Sequence, residues 1–267
     1  MQSLMTLFLD RLALSPAIWV RVLATRGSVP RDAGAWMAVF IDGNVGTIGG
    51  GRLELDAIAH AHTLRADPSA ALEQSYALGP SLGQCCGGHV TLGFEAVGAQ
   101  DIARLRHALQ ASHQPVALFG GGHVGHALVE VFARLPLDVH WIDSRDAPFP
   151  QSVAANVRCE HSQPVHDAVA SLAPRSRVLI MSFSHAEDLD IVAACLLRQR
   201  SQGDLPFVGL IGSKTKWASF GHRLRDRGFS QAELDHITCP IGIPGIVDKH
   251  PEVIAASVAA QLLLQLA

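Results

Sequence analysis

The sequence has little that would place the protein on a nucleic acid, in a membrane or around a structural metal. Its 21 basic and 24 acidic residues give a net charge of −3, whereas a nucleic-acid or membrane-surface binder usually carries a basic excess. No apolar run reaches the roughly 18 residues of a membrane-spanning helix. The 14 histidines are scattered, and none belongs to an H-E-x-x-H or C-x-x-C pattern. We therefore expect neither nucleic acid nor membrane as a partner.

Cysteine is scarce, and no secretion signal is evident. There are five cysteines, an odd number without framework spacing, which indicates reduced thiols and a cytoplasmic location. The first residues, MQSLMTLFLDRLALS, have Asp10 within their apolar run and no basic segment before it. We expect an amphipathic helix there and not a signal peptide.

The most informative stretch that is present is a glycine turn between two apolar runs. Pro115 to Phe119 leads into Gly120 to Gly125, which reads G-x-G-x-x-G, and an amphipathic run follows. A second apolar run ends in Asp143, 18 positions beyond Gly125 and close to the ~20 expected of a ribose-binding acid. Strand, glycine turn, helix, strand and acid in this order predict a Rossmann unit.

The turn has the chemistry to bind a phosphate. A first glycine permits the tight turn, a second lets the backbone approach a pyrophosphate, and a third lets helix pack on strand. The helix N-terminus adds unpaired N–H groups and a partial positive charge. The residues predicted to contact a cofactor here are Gly120, Gly122, His123, Gly125 and Asp143. Arg145 could accept a phosphate instead, and a glycine turn kept only for close packing is the alternative.

The fold class predicted is α/β with two domains. Regular strand–helix alternation over residues 113–267 predicts a Rossmann-like parallel sheet covered on both faces, with helices near 165–172, 187–200 and 215–227. Residues 1–112 mix strands and helices and predict a smaller α+β domain, with a hairpin turn at Asp42-Gly43-Asn44.

Further polar groups follow the predicted strands of the second domain. His185 with Asp188 could form an acid–base pair, or both could cap the helix that follows. Lys214 and Lys216 could hold an anion or be plain solvated charge.

The first domain carries two denser loop clusters. One combines arginines with glycines, a pattern suited to phosphate or carboxylate because guanidinium binds oxyanions in a bidentate fork. Its predicted ligand-binding residues are Arg26, Arg31, Gly50, Gly51 and Arg52. The other is Gly83 to Gly88, where Gln84, Cys85 and Cys86 lie between glycines. A thiolate near such backbone N–H groups would be activated, although a cysteine packed inward is the alternative.

Taken together, these motifs resemble the XdhC/CoxI family in order along nearly the whole chain. The residues that carry the resemblance are Ala24–Arg31, Gly46–Glu54, Leu78–Gly88, Phe119–Gly125, Ser182–Asp188, Ile211–Lys216, Cys239–Gly242 and Pro251–Ala255. The motifs are specific as a set, though no single one is.

The resemblance implies an accessory chaperone and not an enzyme. Proteins of this family are expected to bind the molybdenum cofactor, a molybdopterin that carries a phosphate, while a cysteine desulfurase supplies the terminal sulfur ligand. They then insert the cofactor into the molybdenum-binding subunit of xanthine dehydrogenase. On this view Cys85 or Cys86 contacts molybdenum or its sulfur, and the arginine loops or the glycine turn bind the phosphate.

Several alternatives stay open at this point. The Rossmann pattern alone would also suit an NAD(P)-dependent oxidoreductase that uses Asp143 for ribose and His185 for proton transfer. A cysteine persulfide carrier is a third reading. The molybdopterin or cytosine dinucleotide form of the cofactor, and the identity of the client hydroxylase, are not encoded in any motif. The amphipathic first helix and the closing Ala/Leu helix would each suit a homodimer.

Overall fold

The computed structural model describes residues 4–66, 71–78, 87–111 and 113–266. The chain divides between Leu109 and Gln110 into two compact units, called here the N-terminal and C-terminal units. None of the described helices is long and apolar enough to cross a membrane.

The N-terminal unit is an antiparallel sheet with helices on both faces. Its elements are α1 (Leu4–Leu14), β1 (Ala17–Arg26), β2 (Trp36–Phe40), β3 (Gly43–Gly46), α2 (Gly51–Ala66), β4 (Glu73–Ala77), β5 (His89–Val97), a short 3-10 helix (Ala99–Asp101) and α3 (Ile102–Gln110). The strand order is β3-β2-β1-β5-β4, and every neighbouring pair is antiparallel.

Alternation along β1 explains how this sheet is covered. Ile18, Val20 and Val22 point to the face that α2 covers, whereas Trp19 points to the face packed by α1 and α3. Side chains of a strand alternate between faces, so a strand that is apolar on both sides is buried on both sides. The sheet therefore forms the middle layer of three.

The C-terminal unit contains β6 (Gln114–Phe119), α4 (His123–Phe132), β7 (Leu137–Asp143), β8 (Val157–His161), a 3-10 helix (Val165–Ser171), β9 (Arg177–Ile180), α5 (His185–Gln202), β10 (Phe207–Leu210), α6 (Lys214–Asp226), α7 (Gln231–Leu234), β11 (Ile237–Thr238) and α8 (Pro251–Leu264). All its strand pairs are parallel, in the order β11-β10-β9-β6-β7-β8. Read from β8, this is the Rossmann order 3-2-1-4-5-6, so the predicted α/β fold is confirmed.

The order of strands reverses between β6 and β9. Ligands of open α/β sheets bind beyond the carboxyl ends of the strands at such a point. The residues that follow β6 and β9, Gly120–Gly125 and Met181–Ser184, are thereby placed side by side at the edge where a ligand is expected.

Two local predictions are corrected. The segment near 165–172 is a 3-10 helix over Val165–Ser171, and it ends at Leu172, whose ψ of 143° is extended. A short helix, α7, lies where none was predicted. Its signal is a capping box, in which Ser230 and Glu233 hydrogen-bond to each other's backbone N–H groups.

Candidate functional site

The arginine and glycine loops of the N-terminal unit pack against one another. A Cβ on Gly49 would come within 2.7 Å of the Pro30 ring, and a Cβ on Gly88 would lie 2.4 Å from the carbonyl oxygen of Ser28. Both contacts are too close for any side chain, so these glycines let two other loops approach the loop of residues 26–31. Motifs that are far apart in sequence therefore form one loop cluster.

Glu54 closes the glycine loop that precedes α2. Its Oε2 accepts hydrogen bonds from the Thr47 hydroxyl at 2.5 Å and from the backbone N–H groups of Ile48 at 3.0 Å and Gly50 at 3.1 Å. Gly49, Gly50 and Gly51 have φ values of 124°, 74° and 63°, a left-handed run that other residues rarely adopt. The glycine loop that the sequence predicts to bind a ligand through Gly50 and Gly51 thus already donates hydrogen bonds to a carboxylate of its own chain.

The three predicted arginines of this cluster differ in their pairing. Arg26 and Arg31 are exposed, and among the described residues neither forms an ion pair or a side-chain hydrogen bond. Arg52 is also exposed, but it forms an ion pair with Asp56 one helical turn later, at 2.8 Å. Arg26 and Arg31 are therefore the two guanidinium groups of this cluster that the described structure leaves for an external anion.

Gln84, Cys85 and Cys86 lie outside the described residues, so their predicted contacts stay predictions. The described chain resumes at Gly87 and Gly88, and Gly88 is buried against the loop of residues 26–31. The described cysteines are Cys159, Cys195 and Cys239, and all three are free thiols.

In the C-terminal unit, two glycines of the turn are required by packing. A Cβ on Gly120 would lie 2.0 Å from the carbonyl oxygen of Met181, and a Cβ on Gly125 would lie 2.1 Å from that of Gly120. The first glycine lets the loops after β6 and β9 meet, and the last brings α4 onto the strand. Gly122 differs, because a Cβ there would meet no atom within 4 Å.

Asp143, the predicted ribose acid, is held by its own chain. Its Oδ1 accepts from the backbone N–H of Arg145 at 2.8 Å and from Nε of Arg145 at 2.9 Å. Its Oδ2 accepts from Nη2 of Arg145 at 2.8 Å and from the backbone N–H of Gly121 at 2.5 Å. Burial alone would raise the pKa of Asp143, but the bonds from Arg145 and Gly121 outweigh burial and hold that pKa below its ordinary value.

The predicted pair of His185 and Asp188 does not form. Ser182 donates to Asp188 Oδ1 from both its hydroxyl (2.7 Å) and its backbone N–H (2.8 Å), and Lys216 Nζ lies 2.6 Å from Oδ2. His185 is exposed and lies edge-on to the ring of Phe220. The anion that Lys216 holds is thus an internal one, because α5 and α6 both begin at this edge of the sheet.

Other groups at this edge have no evident catalytic arrangement. His123 is exposed at the start of α4, and Lys214 is exposed at the start of α6. Burial raises the pKa of the Cys239 thiol to about 11, which disfavours a reactive thiolate near pH 7. Within the described ranges, no group of three or more His, Cys, Asp or Glu residues is arranged to hold a metal ion.

A cavity of about 430 Å³ was not anticipated from the sequence. It lies between α4 and residues 150–154 of the β7–β8 connection, and the buried Trp141 and the half-buried His126 are among the residues that line it. The connection of residues 144–156 contains no helix, which leaves this space beside α4. None of the predicted site residues lines the cavity.

Comparison with known proteins identifies both parts of the chain. A family model described as the XdhC Rossmann domain matches residues 116–262, and one described as the XdhC and CoxI family matches residues 13–76. YqeB, an uncharacterized protein of Escherichia coli (strain K12), is 25% identical over 250 residues, which are 93% of this chain and 43% of that protein. The chain thus spans less than half the length of this relative.

A solved structure described as a xanthine dehydrogenase from Bacillus halodurans has a similar fold. The TM-score is 0.76 at 20% sequence identity, over 99% of this chain and 96% of the other. At this identity the similarity is evidence for the fold alone. The fold similarity extends over both units of the chain.

Proposed function

This chain belongs to the XdhC/CoxI family, and from that premise we propose that it binds the molybdenum cofactor as cargo for the maturation of a xanthine dehydrogenase. In this role it holds the cofactor, in its molybdopterin form, while a cysteine desulfurase supplies the terminal sulfur. It then delivers the cofactor to the molybdenum-binding subunit of the dehydrogenase, in the cytoplasm. The chain acts as a chaperone and not as an enzyme.

The observation that carries the proposal is that Arg26 and Arg31, in the N-terminal loop cluster, form no ion pair or side-chain hydrogen bond with any residue that the structure describes. Arg26 ends β1 and Arg31 lies in the loop that follows; both are exposed, and the glycine loops at Gly49 and Gly88 pack on this segment. A loop braced on both sides loses less conformational entropy when a ligand binds, and guanidinium suits the anionic oxygens of the cofactor.

The vicinal cysteines immediately precede, in sequence, the glycines that pack on the segment of Arg26. Cys86 is bonded to Gly87, and Gly88 packs on the loop that bears Arg26. Thiols are suitable neighbours for a molybdenum centre that exchanges a sulfur ligand, because thiolates bind soft metal ions. We propose Cys85 or Cys86 as a contact of molybdenum or of its sulfur.

The experiment is equilibrium binding of isolated molybdenum cofactor to the purified protein under anaerobic conditions, with NADH as a competitor. We expect cofactor binding that NADH does not displace. Arg26→Gln with Arg31→Gln should weaken it by about tenfold per arginine, because a charge-assisted hydrogen bond contributes about 1.5 kcal/mol or more.

A matched control is Arg104→Gln, because Arg104 belongs to the same unit but already pairs with Glu95 and Asp101. Its cofactor affinity should equal that of the parent. Cys85→Ala and Cys86→Ala, made separately, test whether either thiol contributes to cofactor binding. Saturable NADH binding without any cofactor binding would contradict the proposal and favour the oxidoreductase alternative.

A further inference from the structure

β8, the strand at one end of the C-terminal sheet, is paired on one side only. In the strand order it neighbours β7, and no other described strand lies beside it. The connection that leads into it, residues 144–156, contains no helix, and Arg158, Cys159 and His161 are exposed. The unpaired side of β8, called here the open side, is therefore accessible to another chain.

The backbone of β8 alternates between groups that bond to β7 and groups that face the open side. Just before the strand, the carbonyl of Asn156 accepts a hydrogen bond from β7 at 2.8 Å. Just after it, the N–H of Ser162 donates one to β7 at 3.0 Å. Alternate residues of a parallel strand bond to the same neighbour, so the even-numbered residues of β8 face β7. Val157, Cys159 and His161 therefore direct their backbone groups to the open side.

Most of these outward groups have no partner in the described chain. The N–H of Val157 donates to the carbonyl of Ala154 at 2.9 Å, so that group is satisfied. The N–H and C=O groups of Cys159 and the N–H of His161 bond to no residue that the structure describes on the open side. Such a row of free donors and acceptors is a template for pairing with another strand.

The side chains between these outward groups carry both signs of charge. Nη2 of Arg158 lies 2.7 Å from Nδ1 of His140, and Oε2 of Glu160 lies 2.7 Å from Nε2 of the same ring. A guanidinium only donates, so Nδ1 accepts and the proton of the neutral ring is on Nε2. Among the described residues Arg158 forms no ion pair, and Glu160 pairs with this neutral ring alone. Both charges therefore lack an opposite charge in the described chain.

We propose that β8 pairs antiparallel with β8 of a second copy of this chain, about a twofold axis at Cys159. In this register the outward N–H and C=O groups of Cys159 bond to those of Cys159 in the second copy. The N–H of His161 bonds to the carbonyl of Val157 in the second copy. Arg158 lies opposite Glu160 of the second copy, so each unbalanced charge meets its opposite.

The charges also select this register over its neighbours. Moving the axis by one residue places Arg158 opposite Arg158, or Glu160 opposite Glu160, and like charges directly opposite are destabilising. These positions are the ones that do not bond across the axis, where facing side chains approach most closely. A strand of five residues buries little surface, so we expect a reversible dimer and not a permanent one.

The test is sedimentation velocity of the full chain over a series of concentrations. Arg158→Glu places acid against acid across the axis, and Glu160→Arg places arginine against arginine. We expect each variant to weaken dimerisation by about tenfold or more, because each dimer contains the altered pair twice. An equimolar mixture of the two variants should dimerise as the parent does, since every acid then faces an arginine.

Arg227→Glu is the matched control. Arg227 is an exposed arginine of the same unit, outside β8, where it pairs with Asp190 at 2.8 Å. The substitution changes the net charge by the same amount as Arg158→Glu does. Its dimerisation should equal that of the parent, so a general effect of net charge is separated from the effect of the pair.

Cys159 allows the pairing to be trapped. In a hydrogen-bonded antiparallel pair the Cα atoms lie about 5.5 Å apart, which a disulfide can span. Diamide takes up the two electrons and two protons that the two thiols release, and it should link two parent chains through Cys159. Cys159→Ser keeps the other four cysteines and should stay unlinked.

Three outcomes would overturn the inference. The first is a parent that sediments as a monomer at every concentration and forms no cross-link that depends on Cys159. The second is a dimer that neither charge reversal weakens, which would form through another face, such as the exposed leucines of α1. The third is a mixture that stays monomeric although both variants melt with the parent. None of these measurements involves cofactor binding, so failure here is distinct from failure of the proposed function.

Discussion

The glycine loops at Gly49–Gly51 and Gly120–Gly125 are each closed by a carboxylate of the protein's own chain, but the two carboxylates are neutralised differently. Glu54 in the N-terminal unit is partly exposed, and its hydrogen-bond donors among the described residues are a hydroxyl and backbone N–H groups. Asp143 in the C-terminal unit is buried and forms a bidentate pair with Arg145. The N-terminal arginines of the described cluster are therefore not consumed by the loop's own acid.

Whether the closing carboxylate is paired with an arginine determines what each loop presents to a ligand. Where the closing acid needs no cation, Arg26 and Arg31 keep their full charge for an external anion. Where the closing acid has a cation, one guanidinium is fixed in place and most of its charge is already balanced. The N-terminal loops thus present two arginines with unbalanced positive charge to a ligand, whereas the C-terminal edge presents one guanidinium whose position is fixed and whose charge is mostly balanced.

The largest effect should come from breaking the C-terminal clamp with Asp143→Asn. The variant keeps the shape of the side chain, but it removes the bidentate counter-ion of Arg145 and places an amide donor among other donors. We expect a loss of about 3 kcal/mol, the lower end for a broken buried pair, because a third of the Arg145 side chain is exposed. Urea unfolding measures the loss, and Asp146→Asn, at an exposed neighbour, is the control.

Glu54→Gln should cost less, because no ion pair is lost. The amide oxygen can still accept from part of the loop, so we expect about 1–2 kcal/mol, the value of weakened hydrogen bonds at a helix start. Hydrogen exchange by mass spectrometry should place the change in residues 47–54. The exposed Glu73→Gln is the control in the same unit. A loss as large as that of Asp143→Asn would erase the distinction between the two loops.

Much of the fold follows from local patterns in the sequence. The C-terminal sheet is predictable because Gly120 to Gly125 and the spacing to Asp143 are local features, and the Rossmann connections are short and repeat. The antiparallel strands of the N-terminal unit are likewise indicated by turn residues such as Asp42-Gly43-Asn44. The hairpin of β2 and β3 forms there, but its turn is Ile41-Asp42, and Gly43 and Asn44 already pair with β2.

The candidate sites are less predictable, because they depend on partners far away in sequence. Lys216 bonds to Asp188, 28 positions before it, and Gly88 packs on Ser28. No periodicity encodes such pairs. Arg145 and Asp143 are only two residues apart, yet whether that arginine turns back to its neighbour or outward is decided by the burial of the carboxylate, which a single sequence does not reveal.

Acid should weaken the C-terminal unit through His140. Burial, with a smaller contribution from Arg158, lowers the pKa of His140, while Glu160 and Asp138 oppose the shift. Below the ordinary pKa of about 6.5, His140 is protonated in the unfolded chain but stays neutral in the folded chain. The unfolding free energy therefore decreases as the pH is lowered, by at most about 1.4 kcal/mol per pH unit for this residue.

The measurement is the pH dependence of unfolding between about pH 7 and 5, where His titrates. His140→Gln should flatten it, although His113, whose pKa burial also lowers, keeps part of the slope. His222→Gln, at an exposed histidine paired with Asp226, is the control. An unchanged slope in His140→Gln would mean that other groups govern the acid sensitivity.

The smallest effect on stability should come from Arg52→Gln in the N-terminal loop cluster. The ion pair of Arg52 with Asp56 is exposed, and a cation in the first turn of α2 opposes the helix dipole, so its loss should change the unfolding free energy by no more than about 0.5 kcal/mol. If Arg52 contacts the cofactor together with Arg26 and Arg31, the same variant should still lower cofactor affinity. An unfolding free energy close to that of the parent, combined with weaker cofactor binding, would make Arg52 a third ligand contact of the N-terminal loops. An affinity equal to that of the parent would mean that, of these three arginines, Arg26 and Arg31 alone bind the cofactor.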